Sequence, residues 1–165
     1  MDKDRVVHPL KPIVDENCQI LILGSFPSVK SREVHFYYGH KQNRFWKVMA
    51  AVCESPIPMT NEEKTNMLLE HHIALWDSIA SCVIKGSSDA SIRDVVPNDL
   101  KGLIQGTKIT KVYCNGKASL KYYNKYQKAT GIKAISLPST SPANAAYSLE
   151  RLIKIWKETI SIDDE

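Results

Sequence analysis

The chain has 165 residues, a length that fits one core, and 43% of them are hydrophobic, so folding needs no disulfide or structural metal. Its net charge of +4 permits contact with phosphates without demanding it. No apolar run approaches the ~18 residues of a membrane span, and the N-terminus MDKDRVVHPL lacks the apolar centre of a signal peptide, so a cytoplasmic location is expected.

Residues 1–16 are polar, carry Pro9 and Pro12, and are expected to form an extended lead-in to a single domain over 17–165. Cys18-Gln-Ile-Leu-Ile-Leu-Gly24 reads as a strand buried on both faces, as inside a parallel sheet. Ser25 to Lys41 reads as a loop, and Asn43 to Glu54 carries apolar residues at helical spacing. Pro56 and Pro58 break that helix, and the capping box Thr60-Asn-Glu-Glu63 opens another that runs to about His71. Ile73 to Asp77 is a second strand, Lys85 to Ser91 a polar loop, and Asn98 to Gln105 a short helix. Ile109 to Cys114 is a third strand that ends at Asn115-Gly116. A helix from Ala118 to Thr130 stops at Gly131. Lys133 to Leu137 is a fourth strand, and the loop Pro138 to Asn144 leads to a closing amphipathic helix, Ala145 to Ile160.

This alternation predicts an α/β fold, a three-layer α/β/α sandwich around a four-stranded, mainly parallel sheet. Ligands of such sheets bind at the carboxyl ends of the strands. That rule singles out the Gly24–Asn43 loop, the segment after Asp77, Asn115-Gly116 and the Leu137–Asn144 loop. Cys18, Cys53, Cys82 and Cys114 are scattered, with no CxxC pair and no metal spacing. They read as small buried hydrophobes in a reducing compartment, and no metal or cofactor is expected. His71-His72 lacks a third ligand and reads as a solvated helix end. Lys117, Lys121, Lys125 and Lys128 read as a solvated helix face that can add non-specific attraction to DNA.

Two constellations carry the chemistry. Leu23-Gly-Ser-Phe-Pro-Ser28 is followed by Tyr37-Tyr-Gly-His-Lys-Gln-Asn-Arg-Phe-Trp46. Aromatics there can stack on an everted base, and an amide can read its edge or hold a water. The same residues can instead cover the core, with Asn43 capping a helix that begins at Arg44. The second constellation, Leu137-Pro-Ser-Thr-Ser-Pro-Ala-Asn144, sets three hydroxyls between prolines ahead of a helix. That suits a phosphate, or simply a strand-to-helix connection capped by Ser141.

Taken together, these blocks resemble the paired active-site motifs of the uracil-DNA glycosylase superfamily. Ser-Thr-Ser-Pro-Ala-Asn, with Leu75-Trp-Asp77, Gly86-Ser-Ser-Asp89 and Asn115-Gly116, is most similar to the hypoxanthine-DNA glycosylase branch, over roughly residues 17–160. The resemblance implies the uracil-DNA glycosylase-like form of the fold. It also implies a glycosylase of base excision repair, acting on DNA that contains a deaminated base. Better-known branches place Asp or Asn before the first motif's proline to position the attacking water. Here Phe26 stands there and cannot hydrogen-bond a water.

By resemblance and by that elimination, Asn43 is the expected catalytic residue, with its side-chain oxygen accepting from water. Gly24, Ser25, Phe26, Tyr38 and Asn115 are expected around the base, Tyr38 by stacking and Asn115 at the purine O6 and N1 edge. His40, Ser139, Thr140, Ser141, Pro142 and Asn144 are expected against the DNA strand. With no lysine in a catalytic motif, the enzyme is expected to be a monofunctional glycosylase and a monomer. Competing readings are a uracil glycosylase for G:U mismatches, an inactive damage-recognition module of the same fold, and a hydrolase of free nucleosides.

Overall fold

A computed structural model describes residues 5–160. The ends of the two expected segments, 1–4 and 161–165, lie outside the described residues. The strands β1 (Arg5–Val7), β2 (Ile20–Gly24), β3 (Ile73–Asp77), β4 (Ile79–Val83), β5 (Arg93–Pro97), β6 (Lys111–Asn115) and β7 (Ile135–Leu137) form two sheets. The helices are α1 (Val29–Val34), α2 (Phe45–Val52), α3 (Asn61–Glu70), α4 (Leu100–Ile104), α5 (Lys117–Tyr126) and α6 (Leu149–Thr159).

The main sheet has the order β3-β2-β6-β7, and every pair in it is parallel, as the alternation of strands and helices predicts. β2 is fully buried, and its residues alternate between two cores. Ile20 and Ile22 pack with Phe45, Met49, Leu68 and Trp156 of α2, α3 and α6. Leu21 and Leu23 pack with Leu100 of α4 and Tyr123 of α5. Period-2 alternation thus feeds both helical layers, which gives the expected three-layer sandwich.

The second sheet was not expected. It is antiparallel, in the order β1-β4-β5, and flanks the main sheet. The lead-in is therefore part of the fold. Arg5–Val7 pairs with Ser81–Val83, and Ile13 bridges to Leu75. The segment expected as a loop over Ser25–Lys41 contains α1, capped by the Ser28 side chain, which accepts from Ser31 N–H. The last helix begins at Leu149 rather than Ala145, because the Ser148 hydroxyl caps it through Arg151 N–H. His71 ends α3 as expected, half-buried, with its Nδ1 2.8 Å from the Met67 carbonyl. His72 next to it buries an Nδ1 that has no partner among the described residues. All four cysteines are buried and unpaired, and burial raises the Cys18 and Cys114 thiols to about 11. Among the described residues no helix is long and apolar enough to cross a membrane.

Candidate active site

The parallel sheet delivers Gly24, Asp77 and Asn115 to one rim, because the last pair of the β2–β3 register is Gly24 with Asp77, and Asn115 ends β6 opposite Leu137. Between that rim and the loops after β2 and β7 lies a cleft of about 420 Å³. Of the residues expected at the site, all but Asn144 line it: Asn43, Gly24, Ser25, Phe26, Tyr38 and Asn115, with His40, Ser139, Thr140, Ser141 and Pro142. Asn144 lines an adjoining groove that shares Asn115, Ser139 and Ser141 with the cleft and holds Lys117 at its side.

Thr140 is the polar hub, with 0% of its surface exposed. Its hydroxyl donates to Asn43 Oδ1 at 2.9 Å and accepts from Asn115 Nδ2 at 3.0 Å. Its own N–H donates to Asn115 Oδ1 at 3.0 Å. Asn43 Oδ1 also accepts from Phe45 N–H at 3.0 Å, so both lone pairs of that oxygen are used. Arg44, not Asn43, is the N-cap of α2, which starts at Phe45; Asn43 stands one residue earlier, turns its oxygen onto Phe45 N–H and lines the cleft. The atom Asn43 keeps free is Nδ2, a donor, and not the oxygen expected to accept from water. Asn115 likewise clamps Thr140 with both its polar atoms, so its first task is to hold the loop.

Arg44 fixes the same loop from the other side. Its guanidinium donates to the carbonyls of Ser141 at 2.7 Å and Asn144 at 3.1 Å, and to that of Tyr147. Its backbone N–H reaches Thr140 O at 3.1 Å. The planar fork matches several carbonyls at once in a way an ammonium cannot. Within the loop, the Ser139 hydroxyl accepts from Ser141 N–H at 3.1 Å and the Ser141 hydroxyl from Ala143 N–H at 3.2 Å. Both hydroxyls keep their proton for an outside acceptor. The Asn144 amide donates inward, to Ser139 O at 3.0 Å. Gly116, at φ 95°, passes so close that an added Cβ would lie 3.1 Å from the Ser139 Cβ.

Asp77 is the residue that sequence reasoning missed. It is 4% exposed. Its Oδ2 lies 2.7 Å from His8 Nε2. Leu10 N–H points at His8 Nδ1 at 3.2 Å, which marks Nδ1 as the acceptor and puts the ring proton on Nε2, facing the carboxylate. Asp77 Oδ1 accepts no hydrogen bond among the described residues and faces Gly24, where an added Cβ would stand 2.3 Å from it. The signal was present in the rim rule, which named the segment after Asp77. The His8 partner, 69 residues away, left no local trace.

Tyr38 has φ 53°, a left-handed conformation that costs a bulky residue free energy. Its ring stacks on Phe45 with centroids 4.0 Å apart, which occupies one face. Its hydroxyl is buried and meets no partner at hydrogen-bond geometry, although Asn115 stands close enough to act on it weakly. Burial first, then the charge of Asp77, hold this phenol well above its ordinary range, so it stays a proton donor. Phe26 is mostly core: it packs with Ile79, Cys82 and Tyr122, and 8% of it is exposed at the cleft. Ser25 donates to Asp89 Oδ1 at 2.8 Å. Asp89 is exposed as a residue, yet its carboxyl reaches into the cleft, where burial and then Asp77 raise it despite the Ser25 bond. His40 sits exposed at the mouth, with Nδ1 accepting from Gln42 N–H at 3.1 Å.

Known proteins share this arrangement of chain. The solution NMR structure of a Methanosarcina acetivorans protein assigned to uracil DNA glycosylase superposes with a TM-score of 0.76, at 30% identity, covering 90% of this chain and 95% of that one. A hypoxanthine DNA glycosylase of M. acetivorans is 34% identical over 140 residues, 84% of this chain and 89% of the relative. A second hypoxanthine DNA glycosylase, from Methanosarcina barkeri, is 34% identical over 151 residues, 89% of this chain and 93% of the relative. The profile of the Uracil DNA glycosylase superfamily matches residues 12–159, a span that takes in the rim, the Thr140 hub and both flanking loops. The chain that builds this cleft belongs to the uracil DNA glycosylase superfamily.

Proposed function

We propose that this protein is a monofunctional DNA glycosylase of base excision repair. It draws a deaminated base, hypoxanthine in deoxyinosine, into the cleft and hydrolyses its bond to deoxyribose. The observation that carries this reading is the Asn43 carboxamide, held at the cleft wall by Phe45 N–H and Thr140 with Nδ2 left free. The two relatives named hypoxanthine DNA glycosylase favour the purine.

As the bond from C1′ to the purine nitrogen breaks, its electron pair leaves with the base and the sugar takes on oxocarbenium character. The water that captures C1′ needs placement more than deprotonation. Asn43 Nδ2 donates to one lone pair of that water, the other lone pair attacks C1′, and the proton passes to solvent. Ser139 and Ser141, each with a hydroxyl proton to spare, serve the phosphates beside the everted nucleotide, helped by Lys117 in the adjoining groove. Among the described residues no lysine lines the cleft itself, which favours water over an amine as nucleophile and an abasic product over strand cleavage. The protein acts as a monomer, without metal or cofactor, and its buried, unpaired cysteines suit the reducing cytoplasm.

Hypoxanthine, uracil and xanthine, each placed in one oligonucleotide context and followed by alkali cleavage, test this reading. Hypoxanthine should be released fastest. Asn43→Ala should lose roughly 10²–10³-fold in single-turnover rate, the usual effect of deleting one aligned donor. Asn43→Asp replaces the donor by an acceptor and should lose as much. A rate for Asn43→Asp equal to or above wild type would show that an acceptor does the work. Tight binding to an inosine duplex with no release of free base would mark an inactive recognition module.

A further inference from the structure

Asp77 and Tyr38 bring two unsatisfied groups of opposite kind to one spot. An added Cβ on Gly24 would lie 2.3 Å from Asp77 Oδ1 and 3.1 Å from the Tyr38 hydroxyl. Both groups thus converge on Gly24, whose missing side chain lets them approach, and both line the cleft. Gly24 does not have positive φ, so its backbone does not require glycine; the close approach of Asp77 Oδ1 does, because it leaves no room for a Cβ. The mechanism above uses neither group. One is an acceptor, and its partner oxygen is tied to His8. The other is a buried donor that meets no acceptor among the described residues, on a residue with left-handed backbone whose ring stacks on Phe45. Burying a donor such as the Tyr38 hydroxyl is unfavourable unless something completes it, and the Asp77 carboxylate lines the same cleft with an oxygen to spare.

Deamination inverts one edge of a base. It turns an exocyclic amino group into a carbonyl and the neighbouring ring nitrogen from an acceptor into an N–H donor. We infer that Asp77 and Tyr38 read this edge, Asp77 Oδ1 accepting from the ring N–H while the Tyr38 hydroxyl donates to the adjacent carbonyl. The inference rests on the glycosylase reading and adds how that enzyme tells a deaminated base from its parent. Adenine would set the bare lone pair of N1 against a carboxylate. A carboxylate has no proton to offer and no rotamer that supplies one, whereas an amide at 77, its oxygen held by His8, would offer the base an NH2 and so suit adenine. Asp77 is thus a repulsive element against the undamaged base as well as an attractive one toward the damaged base. Tyr38 acts through its hydroxyl, edge-on, rather than by stacking. Guanine carries the same carbonyl and N–H, so the pair rejects adenine and cytosine, and other contacts must reject guanine.

Single-turnover release is measured from one duplex context holding hypoxanthine, adenine or unsubstituted purine, which lacks both the carbonyl and the N–H. Asp77→Asn presents an NH2 where Oδ1 stood, since His8 still needs an oxygen to accept its proton. Hypoxanthine release should fall roughly 10- to 100-fold, and the ratio of adenine to hypoxanthine release should rise by at least as much. Tyr38→Phe should slow hypoxanthine release by about 10-fold and slow release of unsubstituted purine far less. Equal losses on all three bases, or an unaltered ratio in Asp77→Asn, would overturn the inference while leaving the glycosylase reading intact. If wild-type protein released no hypoxanthine at all, both would fall. Should Asp77→Asn not fold, as judged by circular dichroism, the Tyr38→Phe comparison decides: a loss on unsubstituted purine equal to that on hypoxanthine would overturn the assignment.

Discussion

Replacing Thr140 by Val separates what this residue does for the fold from what it does for the chemistry. Valine keeps the shape and loses the hydroxyl. The hydroxyl donates to Asn43 Oδ1 and accepts from Asn115 Nδ2, at a position with 0% exposure. Removing it leaves the Asn115 amide without its acceptor and Asn43 with one anchor in place of two. One buried group left unsatisfied costs about 1–3 kcal/mol. For a chain of this size that is roughly a 2–12 °C fall in melting temperature, at ~2–4 °C per kcal/mol. The rate should fall as well, by about 10-fold, because an amide held only by Phe45 N–H can swing, and a 1 Å misplacement costs up to ~10²-fold. Thermal melting and single-turnover release of hypoxanthine measure the two effects separately. Thr140→Ser keeps the hydroxyl and should restore most of the rate while packing less well. If Thr140→Val turned over at the wild-type rate, or if Thr140→Ser were as slow as Thr140→Val, Asn43 would not depend on this hub.

Two further outcomes follow from neighbouring contacts. Arg44→Lys surrenders a fork that serves the carbonyls of Ser141, Asn144 and Tyr147, so it should destabilise by about 1.5–3 kcal/mol and speed amide hydrogen exchange across residues 139–148, with KM for duplex rising more than kcat falls. Asp89→Asn removes a carboxylate that burial and Asp77 hold above its ordinary value. A raised folded-state value means that protonation favours the folded form, so stability is lost as pH rises through it. Asp89→Asn should therefore melt higher than wild type near neutrality, and the gap should close as pH falls toward 4. A gap that widened on acidification would refute the sign.

The four parallel strands were legible because each is an apolar run closed by Gly, Asp, Asn or a turn; burial on both faces leaves that trace in β2, β3 and β6, while in the mostly exposed β7 the run Ile135–Leu137 ends at Pro138. The antiparallel sheet was not. Arg93–Pro97 is mostly exposed, Asp94 within it has φ 53°, and Arg5–Val7 spans only 3 residues, so neither segment shows sustained alternation. Six residues of α1 carry no apolar repeat. At the site, the loop residues could be named because chemically distinctive types cluster along the chain. The partners that give them direction are distant in sequence: Thr140 lies 97 residues from Asn43, and Asp77 lies 69 from His8. Pairing at that range depends on tertiary register. For the same reason the residue type gave Asn43 as a candidate, while which of its two polar atoms stays free depends on Phe45 and Thr140.

The Leu10 amide that selects the His8 tautomer ties the cleft to the start of the chain. The carboxylate at the pocket floor is backed by a ring carried on the segment just after β1, so whatever pulls that first strand off its sheet also withdraws the imidazole. A tag, a fusion partner or a protease nick upstream of residue 10 could thus leave the parallel sheet and the Thr140 hub whole and still blunt the enzyme's choice of base.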